Sequence, residues 1–253
     1  MAISLDSLQK GSVSKPPRIV LHGVAKIGKS TLASNAPAPV FIQTEDGADE
    51  LGVDRFPLST SFEDVMQAMT VLANEEHNFK TAVIDSLDWL EPLVQQKACR
   101  DHGWSSIEDP GYGKGYMAAL DVWGEYISAI NYLRDTKQMT IFQIAHNHIR
   151  RFDDPSNDPY DRYEIKLHKG ASAKIMEHAD AILFANYRTS VKETDVGFNN
   201  KKSRAIGTGE RMLFSEERPA FIAGNRYSMP AEMPLAWDSI QNTIPYFNQT
   251  SGE

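Results

Sequence analysis

The feature that most constrains this chain is residues 23–30, which read G-V-A-K-I-G-K-S and follow the apolar run of residues 19–21 after the single residue His22. In G-x-x-x-x-G-K-S phosphate-binding loops, a β-type run leads into the glycines and a helix continues beyond them, as residues 30–33 can here. The glycines let backbone N–H groups close around phosphate oxygens, and the positive end of the helix favours an anion. The pattern therefore predicts a P-loop at the end of a strand.

Two side chains of the loop have different predicted tasks. Lys29 is expected to reach the β- and γ-phosphates of ATP, and the Ser30 hydroxyl is expected to ligate Mg²⁺. Lys26 reads instead as a solvated loop charge. The candidate nucleotide-binding residues are Gly23, Val24, Ala25, Lys26, Ile27, Gly28, Lys29, Ser30 and Thr31.

Composition narrows the class of protein. Hydrophobic residues make up 41% of the 253 residues, and no stretch approaches the roughly 18 uninterrupted apolar residues of a membrane span. The first residues have neither a basic nor an apolar signal region, and the lone Cys99 excludes an internal disulfide, so we expect a cytoplasmic protein. The net charge of −8 weighs against nonspecific nucleic-acid binding, so any DNA site must be a local patch.

From residue 18 onward, β-type runs alternate with helical ones, which is typical of a mainly parallel sheet flanked by helices. The last third is different, because short β-leaning segments separated by turn residues predict hairpins that extend the sheet. We expect a flexible arm over residues 1–17, one domain over 18–247 and a tail over 248–253. The predicted strands cover residues 18–22, 40–44, 81–85 and 140–145, and the predicted helices cover 30–35, 62–76, 89–100, 116–136 and 172–178.

Two carboxylates follow predicted strands. Asp85 ends the apolar strand at 81–85, where a carboxylate holds the Mg²⁺ shell in P-loop proteins, although an Asp here could also cap the next helix. The position after Asp85, often a Glu in ATPases, is Ser86. Glu45 lies just beyond the strand at 40–44. Because parallel strands share one carboxyl edge, Glu45, Asp85 and the P-loop can converge there.

At this point the chain resembles the RecA-like ATPases, in which F-I-x-x-E is followed later by an apolar strand that ends in Asp-Ser. The resemblance implies a RecA-like core that hydrolyses ATP, with Glu45 as the catalytic carboxylate and Asp46 and Asp88 as weaker candidates. The strand that ends at His146 matches the family's sensor strand, which lies between the P-loop strand and the strand of Asp85. His146 would then contact the γ-phosphate, with Gln143 as the runner-up.

Residues 221–230 resemble the K-x-R element of RecA-like ATPases, whose Lys and Arg reach the γ-phosphate of a neighbouring subunit. Arg226 occupies the arginine position, whereas Gly224 stands where the lysine is expected. The resemblance thus implies a catalytic Arg226 in a homo-oligomer, either a ring or a filament. A surface arginine is the other interpretation.

In the RecA-like layout two loops hold single-stranded DNA. The first includes residues 110–116, in which glycines let the backbone approach phosphates, tyrosines can stack on bases and a lysine adds charge. The second follows the sensor strand over residues 147–169, where acidic residues interrupt the basic ones, so a solvated irregular loop is an alternative. The candidate DNA-binding residues are Tyr112, Lys114, Tyr116, Arg150, Arg151 and Lys169.

The order of these motifs over residues 18–230 resembles the Sak-type single-strand-annealing ATPases of bacteriophages. That resemblance implies ATP-dependent binding and annealing of single-stranded DNA in recombination, in the host cytoplasm and with a single-strand-binding protein as partner.

Two alternatives stay open. One is a P-loop nucleoside or nucleotide kinase, in which Arg150, Arg151 and Arg162 form a lid and Asp161-Arg162 lies beside the phosphate acceptor. The other is a nucleotide-switched assembly factor such as a helicase loader.

Overall fold

The structure, a computed structural model, describes residues 8, 11, 13–154, 158–195 and 201–248, with backbone alone in 189–195 and 201–208. Most of the expected arm (1–17) and tail (248–253) lies outside the described residues. The strands are β1 (Arg18–Gly23), β2 (Pro39–Gln43), β3 (Asp54–Arg55), β4 (Thr81–Asp85), β5 (Thr140–Phe152), β6 (Tyr160–Ile165), β7 (Ala181–Asp195), β8 (Lys201–Phe214), β9 (Gly224–Asn225) and β10 (Glu232–Pro234). The helices are α1 (Lys29–Ser34), α2 (Phe62–Asn74), α3 (Leu87–His102), α4 (Lys114–Asp135), α5 (Lys169–His178) and α6 (Trp237–Gln241).

One sheet runs through the molecule in the order β10-β8-β7-β1-β5-β4-β2-β3, and β6 and β9 pair onto β5 and β7. Neighbouring strands from β7 to β3 pair in parallel, whereas β8 pairs antiparallel with β7 and β10 pairs antiparallel with β8. This confirms the predicted fold class, a mainly parallel sheet that antiparallel hairpins extend. β5 lies between β1 and β4, as the RecA-like layout predicts for the sensor strand.

Alternate residues of the central strands build two hydrophobic cores, one on each face of the sheet, because successive side chains of a strand point in opposite directions. Val20 packs into the core that α2, α3, α4 and α5 cover. Its neighbours Ile19 and Leu21 pack into the opposite core, which α1 and α6 cover. The P-loop strand is therefore buried on both faces, and its carboxyl end is held firmly in place.

The predicted helices and central strands are present with small shifts at their ends, but two regions differ from the prediction. β5 does not end at Ala145: it continues to Phe152 and forms an antiparallel hairpin with β6, in register from Asn147↔Ile165 to Phe152↔Tyr160. Four short β-leaning segments are predicted in the last third, at residues 181–187, 202–206, 211–214 and 220–223. The first three are parts of one long hairpin, β7–β8, whereas in 220–223 only Phe221 forms isolated bridges. Both hairpins extend beyond the carboxyl edge of the parallel sheet, where β1 ends.

Within the described residues, no helix combines the length and apolar character that crossing a membrane requires.

Candidate functional site

The P-loop connects β1 to α1, and two glycines let it pass close to its neighbours. A Cβ on Gly23 would lie 2.3 Å from the Ala185 carbonyl oxygen on β7, so only glycine fits this position. Gly28 has a φ of 108°, in the left-handed region that glycine adopts without strain. These two positions fix the path of the loop between β1 and α1.

Lys29 extends its side chain back along the loop. Its Nζ donates hydrogen bonds to the carbonyl oxygens of Gly23 and Val24, at 3.2 Å each. Burial lowers the pKa of Lys29, while the nearby carboxylates, Asp85 first among them, act in the opposite direction. The ammonium group is thus held at a defined point, with one of its three donors left for a ligand.

Ser30 and Asp85 meet across the space between α1 and β4. The Ser30 hydroxyl donates a hydrogen bond of 2.7 Å to Asp85 Oδ2. Burial raises the pKa of Asp85, against the effect of this hydrogen bond and of the Lys29 charge. Among the described residues no group of three His, Cys, Asp or Glu side chains could by itself hold a metal ion. A hydroxyl and one carboxylate nevertheless suit Mg²⁺, which uses few protein ligands beside water and phosphate oxygens.

Glu45 lies beside Asp85 because β2 and β4 are neighbours in register, Gln43 opposite Asp85. The amides of Thr44 and Glu45 donate to the Asp85 carbonyl oxygen at 2.8 and 3.2 Å. The Ser86 hydroxyl then donates to Glu45 Oε2 at 3.2 Å. Ser86, which stands where many ATPases have a second carboxylate, thus orients the carboxylate that comes from the adjacent strand.

His146 is the last residue of β5 that pairs with β1, and it lies opposite Gly23. Asp88, whose side chain is only 2% exposed, accepts from the His146 amide at 2.9 Å and lies 3.0 Å from its Nδ1. Glu45 Oε2 is 3.7 Å from the same nitrogen. The hydrogen bond with Asp88 raises the pKa of His146, ahead of the opposing effect of burial. Burial alone would raise the pKa of Asp88, but its bonds with His146 outweigh this effect and lower it.

A single cavity of about 330 Å³ joins these groups at the carboxyl edge of the sheet. Its polar lining has cationic, hydroxyl, carboxylate and imidazole groups, all predicted from sequence as parts of one site. Gln143, the runner-up for His146, is fully buried and accepts a 2.8 Å hydrogen bond from the Tyr126 hydroxyl, so it belongs to the core. The lining residues are Lys26, Gly28, Lys29, Ser30, Thr31, Glu45, Gly47, Leu51, Asp85, Ile144 and His146.

Arg226 is not in this cavity. Its backbone N–H donates to the Asp180 carbonyl oxygen at 3.0 Å, and its Nη1 pairs with Asp180 Oδ1 at 3.1 Å. Asp180 also binds Arg18, the first residue of β1, at 2.9 Å. The cluster therefore lies at the amino edge, roughly 17 Å along β1 from the P-loop. Within the chain, Arg226 is a partner of Asp180 and lies away from the cavity.

The candidate DNA-binding residues do not all present free side chains. Tyr116 stacks on His168 with ring centroids 4.1 Å apart, and its hydroxyl bonds Glu108, so its ring is already used within the chain. Tyr112 and Lys114 are exposed. The exposed groups of Arg150 and Arg151 face Glu164 and Asp153 at 3.7 and 3.8 Å. Lys169, also exposed, begins α5.

Arg162, on which the kinase alternative partly depends, is committed to the β5–β6 hairpin. Its Nε donates to Glu164 at 2.9 Å, its Nη1 donates to Glu217 at 3.1 Å, and its guanidinium carbon lies 3.7 Å from the centre of the Phe152 ring. Its side chain is 13% exposed. A residue held this way is poorly suited to the moving lid that the kinase alternative requires.

Sequence reasoning missed Arg211 as a site residue. It lies on β8, yet its Nη1 donates to the Ile27 carbonyl oxygen of the P-loop at 3.4 Å. It also lines a second cavity, which shares Gly28 and Thr31 with the first. No motif marks this arginine, because its proximity to the P-loop arises only when β8 pairs beside β7.

This fold and loop define the class of the protein, an α/β P-loop domain with its site at the carboxyl edge of the sheet. The chain matches the AAA domain family model AAA_24 over residues 15–227 and belongs to that family. No curated protein matches the chain. Among solved structures it is similar to one titled "Crystal structure of the RadB recombinase", with 16% identity, coverage of 83% of this chain and 85% of that one, and a TM-score of 0.43.

Proposed function

We propose that this protein is a Mg²⁺-dependent ATPase of RecA-like type that binds single-stranded DNA and promotes its annealing in homologous recombination. The observation that carries the ATPase part is the convergence of Lys29, the Ser30–Asp85 pair, Glu45 and His146 on one cavity. Each of these groups has a task in phosphoryl transfer to water, in which catalysis depends on positioning and charge stabilisation.

The residues divide these tasks between them. Lys29 and the loop amides bind the β- and γ-phosphates, and Ser30 with Asp85 holds Mg²⁺, which neutralises phosphate charge when bound. Glu45 accepts a hydrogen bond from Ser86 and is placed to orient the attacking water and take its proton. His146, whose pKa the hydrogen bond with Asp88 raises, would donate to the γ-phosphate from the lining of the cavity.

The DNA part is supported by where the candidate segments lie. α4 and α5 each lead into a strand that begins at the amino edge, so both helices start at the carboxyl edge, close to the cavity. The Tyr116–His168 stack joins the two helix starts, and the β5–β6 hairpin extends from the same edge. Exposed Tyr112, Lys114 and Lys169 would contact DNA with Arg150 and Arg151, whose acidic neighbours Glu164 and Asp153 reduce their attraction for phosphate.

A homo-oligomer, in ring or filament form, belongs to the same proposal. Arg226 is 61% exposed at the amino edge of its own chain, so it would act on the ATP of a neighbouring subunit. A single-strand-binding protein is the proposed partner on DNA.

Steady-state ATP hydrolysis with and without single-stranded DNA tests the proposal, and Lys29→Ala serves as the inactive control. We expect hydrolysis in the wild type that DNA accelerates, and none in the variant. A rate that DNA leaves unchanged would favour the nucleotide-switched assembly factor. Phosphorylation of a nucleoside or nucleoside monophosphate, added in a parallel assay, would establish the kinase instead.

A further inference from the structure

A second cavity, of about 490 Å³, lies on the other side of the first turn of α1. Gly28 and Thr31 line both cavities, so the two are separated only by the P-loop end and the beginning of that helix. The first cavity contains all of the carboxylates and the imidazole proposed for ATP hydrolysis. The second contains none of them, and its volume suits a group of nucleoside size, since small-ligand sites range over roughly 300–1,000 Å³.

The far wall of this cavity comes from the C-terminal part of the chain. Leu235 and Trp237 give it apolar surface, and Arg211 gives it a planar cation. The Leu235 amide donates to the Arg211 carbonyl oxygen at 3.0 Å, which joins the segment to β8. A guanidinium plane and apolar side chains together are a favourable surface for an aromatic ring.

The wall is fixed rather than loose. The Trp237 indole N–H donates to Gln241 Oε1 at 3.0 Å, and its ring packs against those of Phe142 and Phe247 at centroid distances of 6.0 and 5.4 Å. Trp237 itself is 6% exposed. Because the wall is tied to the core beneath the sheet, it is preorganised for a ligand.

We propose that this cavity is the subsite for the base and ribose of the bound nucleotide, and that Arg211 and residues 235–241 set its fit. The inference rests on the proposed function. A triphosphate with its γ-phosphate at Glu45 and its β-phosphate at Lys29 would bring its nucleoside towards Thr31, which lines both cavities. Within this wall, residues 235–241 lie outside the 15–227 that the family model matches, whereas Arg211 lies inside that range.

Calorimetric titration with ATP and, separately, with inorganic tripolyphosphate tests the subsite, because tripolyphosphate has the phosphates without the nucleoside. The test variant is Ala236→Trp, since Ala236 is exposed at the cavity wall and a larger side chain there fills the space. Asn242→Trp is the matched control, because Asn242 is equally exposed next to α6 but does not line the cavity.

We expect the wild type to bind ATP more tightly than tripolyphosphate, and Ala236→Trp to weaken ATP binding by about tenfold or more. Tripolyphosphate affinity in that variant, and both affinities in Asn242→Trp, should stay at wild-type values. Unchanged ATP affinity in Ala236→Trp, or an equal loss for both ligands, would overturn the subsite. A wild type that binds neither ligand would instead overturn the proposed ATPase itself.

Discussion

Replacing Gly23 by alanine tests how the sheet positions the P-loop. The added Cβ would lie 2.3 Å from the carbonyl oxygen and 2.9 Å from the Cβ of Ala185. Both atoms belong to β7 in the centre of the sheet, where the Val24 amide also donates to the same oxygen at 3.3 Å. The neighbour cannot rotate away as a flexible side chain would. The substitution therefore has to move β1, β7 or the loop itself.

Overpacking of this kind costs about 1–3 kcal/mol, and a rigid backbone contact belongs at the upper end of that range. At about 2–4 °C per kcal/mol for chains of this size, a loss of about 3 kcal/mol lowers the melting temperature by about 6–12 °C. ATP affinity should fall as well, because the Lys29 ammonium donates to the Gly23 carbonyl oxygen.

Thermal unfolding followed by circular dichroism, together with calorimetric ATP binding, measures both effects. Gly47→Ala is the matched control: Gly47 lines the same cavity, but a Cβ there meets no heavy atom within 4 Å. The control should melt and bind like the wild type. If Gly23→Ala melts within about 1 °C of the wild type and binds ATP equally well, the close approach of β7 does not constrain the loop.

Two further predictions concern charge. Asp88→Asn should lower the pKa of His146, measured by NMR titration. Because the pKa of His146 is raised in the folded protein, its bond with Asp88 stabilises the fold fully at pH values below 6.5, the ordinary pKa of an imidazole. This stabilisation is lost as the pH rises through the pKa of His146 in the folded protein. In urea unfolding, the free energies of wild type and variant should therefore differ more at low pH than at high pH. An unshifted His146 titration would refute the pairing. Lys114→Ala combined with Arg151→Ala should weaken single-stranded DNA binding and reduce the slope of log K against log salt concentration by about 1.4. Lys80→Ala, at the amino edge of the sheet, should change neither quantity. Equal slopes for wild type and double variant in fluorescence anisotropy titrations would rule out DNA contacts by residues 110–116 and 147–169.

The central strands and the P-loop could be predicted because their signals are local. Buried parallel strands are continuous apolar runs, as in residues 19–21 and 82–84, and the turn between β1 and α1 has a fixed glycine spacing. Glu45 and Asp85 could be brought together by topology alone, since neighbouring parallel strands share an edge.

The remaining parts of the site depend on contacts that no local pattern encodes. Residues 146–152 are mostly polar, so the extension of β5 has no apolar signal, and it forms because β6 pairs with it. From sequence, Asp88 is a weaker candidate for the catalytic carboxylate, whereas in the structure its carboxylate is hydrogen-bonded to His146. Arg226 lies beside Asp180 because the preceding strand, β9, pairs with the first residues of β7. β9 has only two residues and is too short to predict from sequence.

Single-turnover hydrolysis of prebound ATP by Glu45→Gln tests whether Glu45, which follows the strand next to that of Asp85, is the catalytic carboxylate of an ATPase. The neighbouring Asp46→Asn is the control, because Asp46 is exposed and does not line the cavity. We expect Glu45→Gln to bind ATP with wild-type affinity and leave it intact, while Asp46→Asn hydrolyses it at the wild-type rate. Hydrolysis at the wild-type rate by Glu45→Gln would show that another group activates the attacking water.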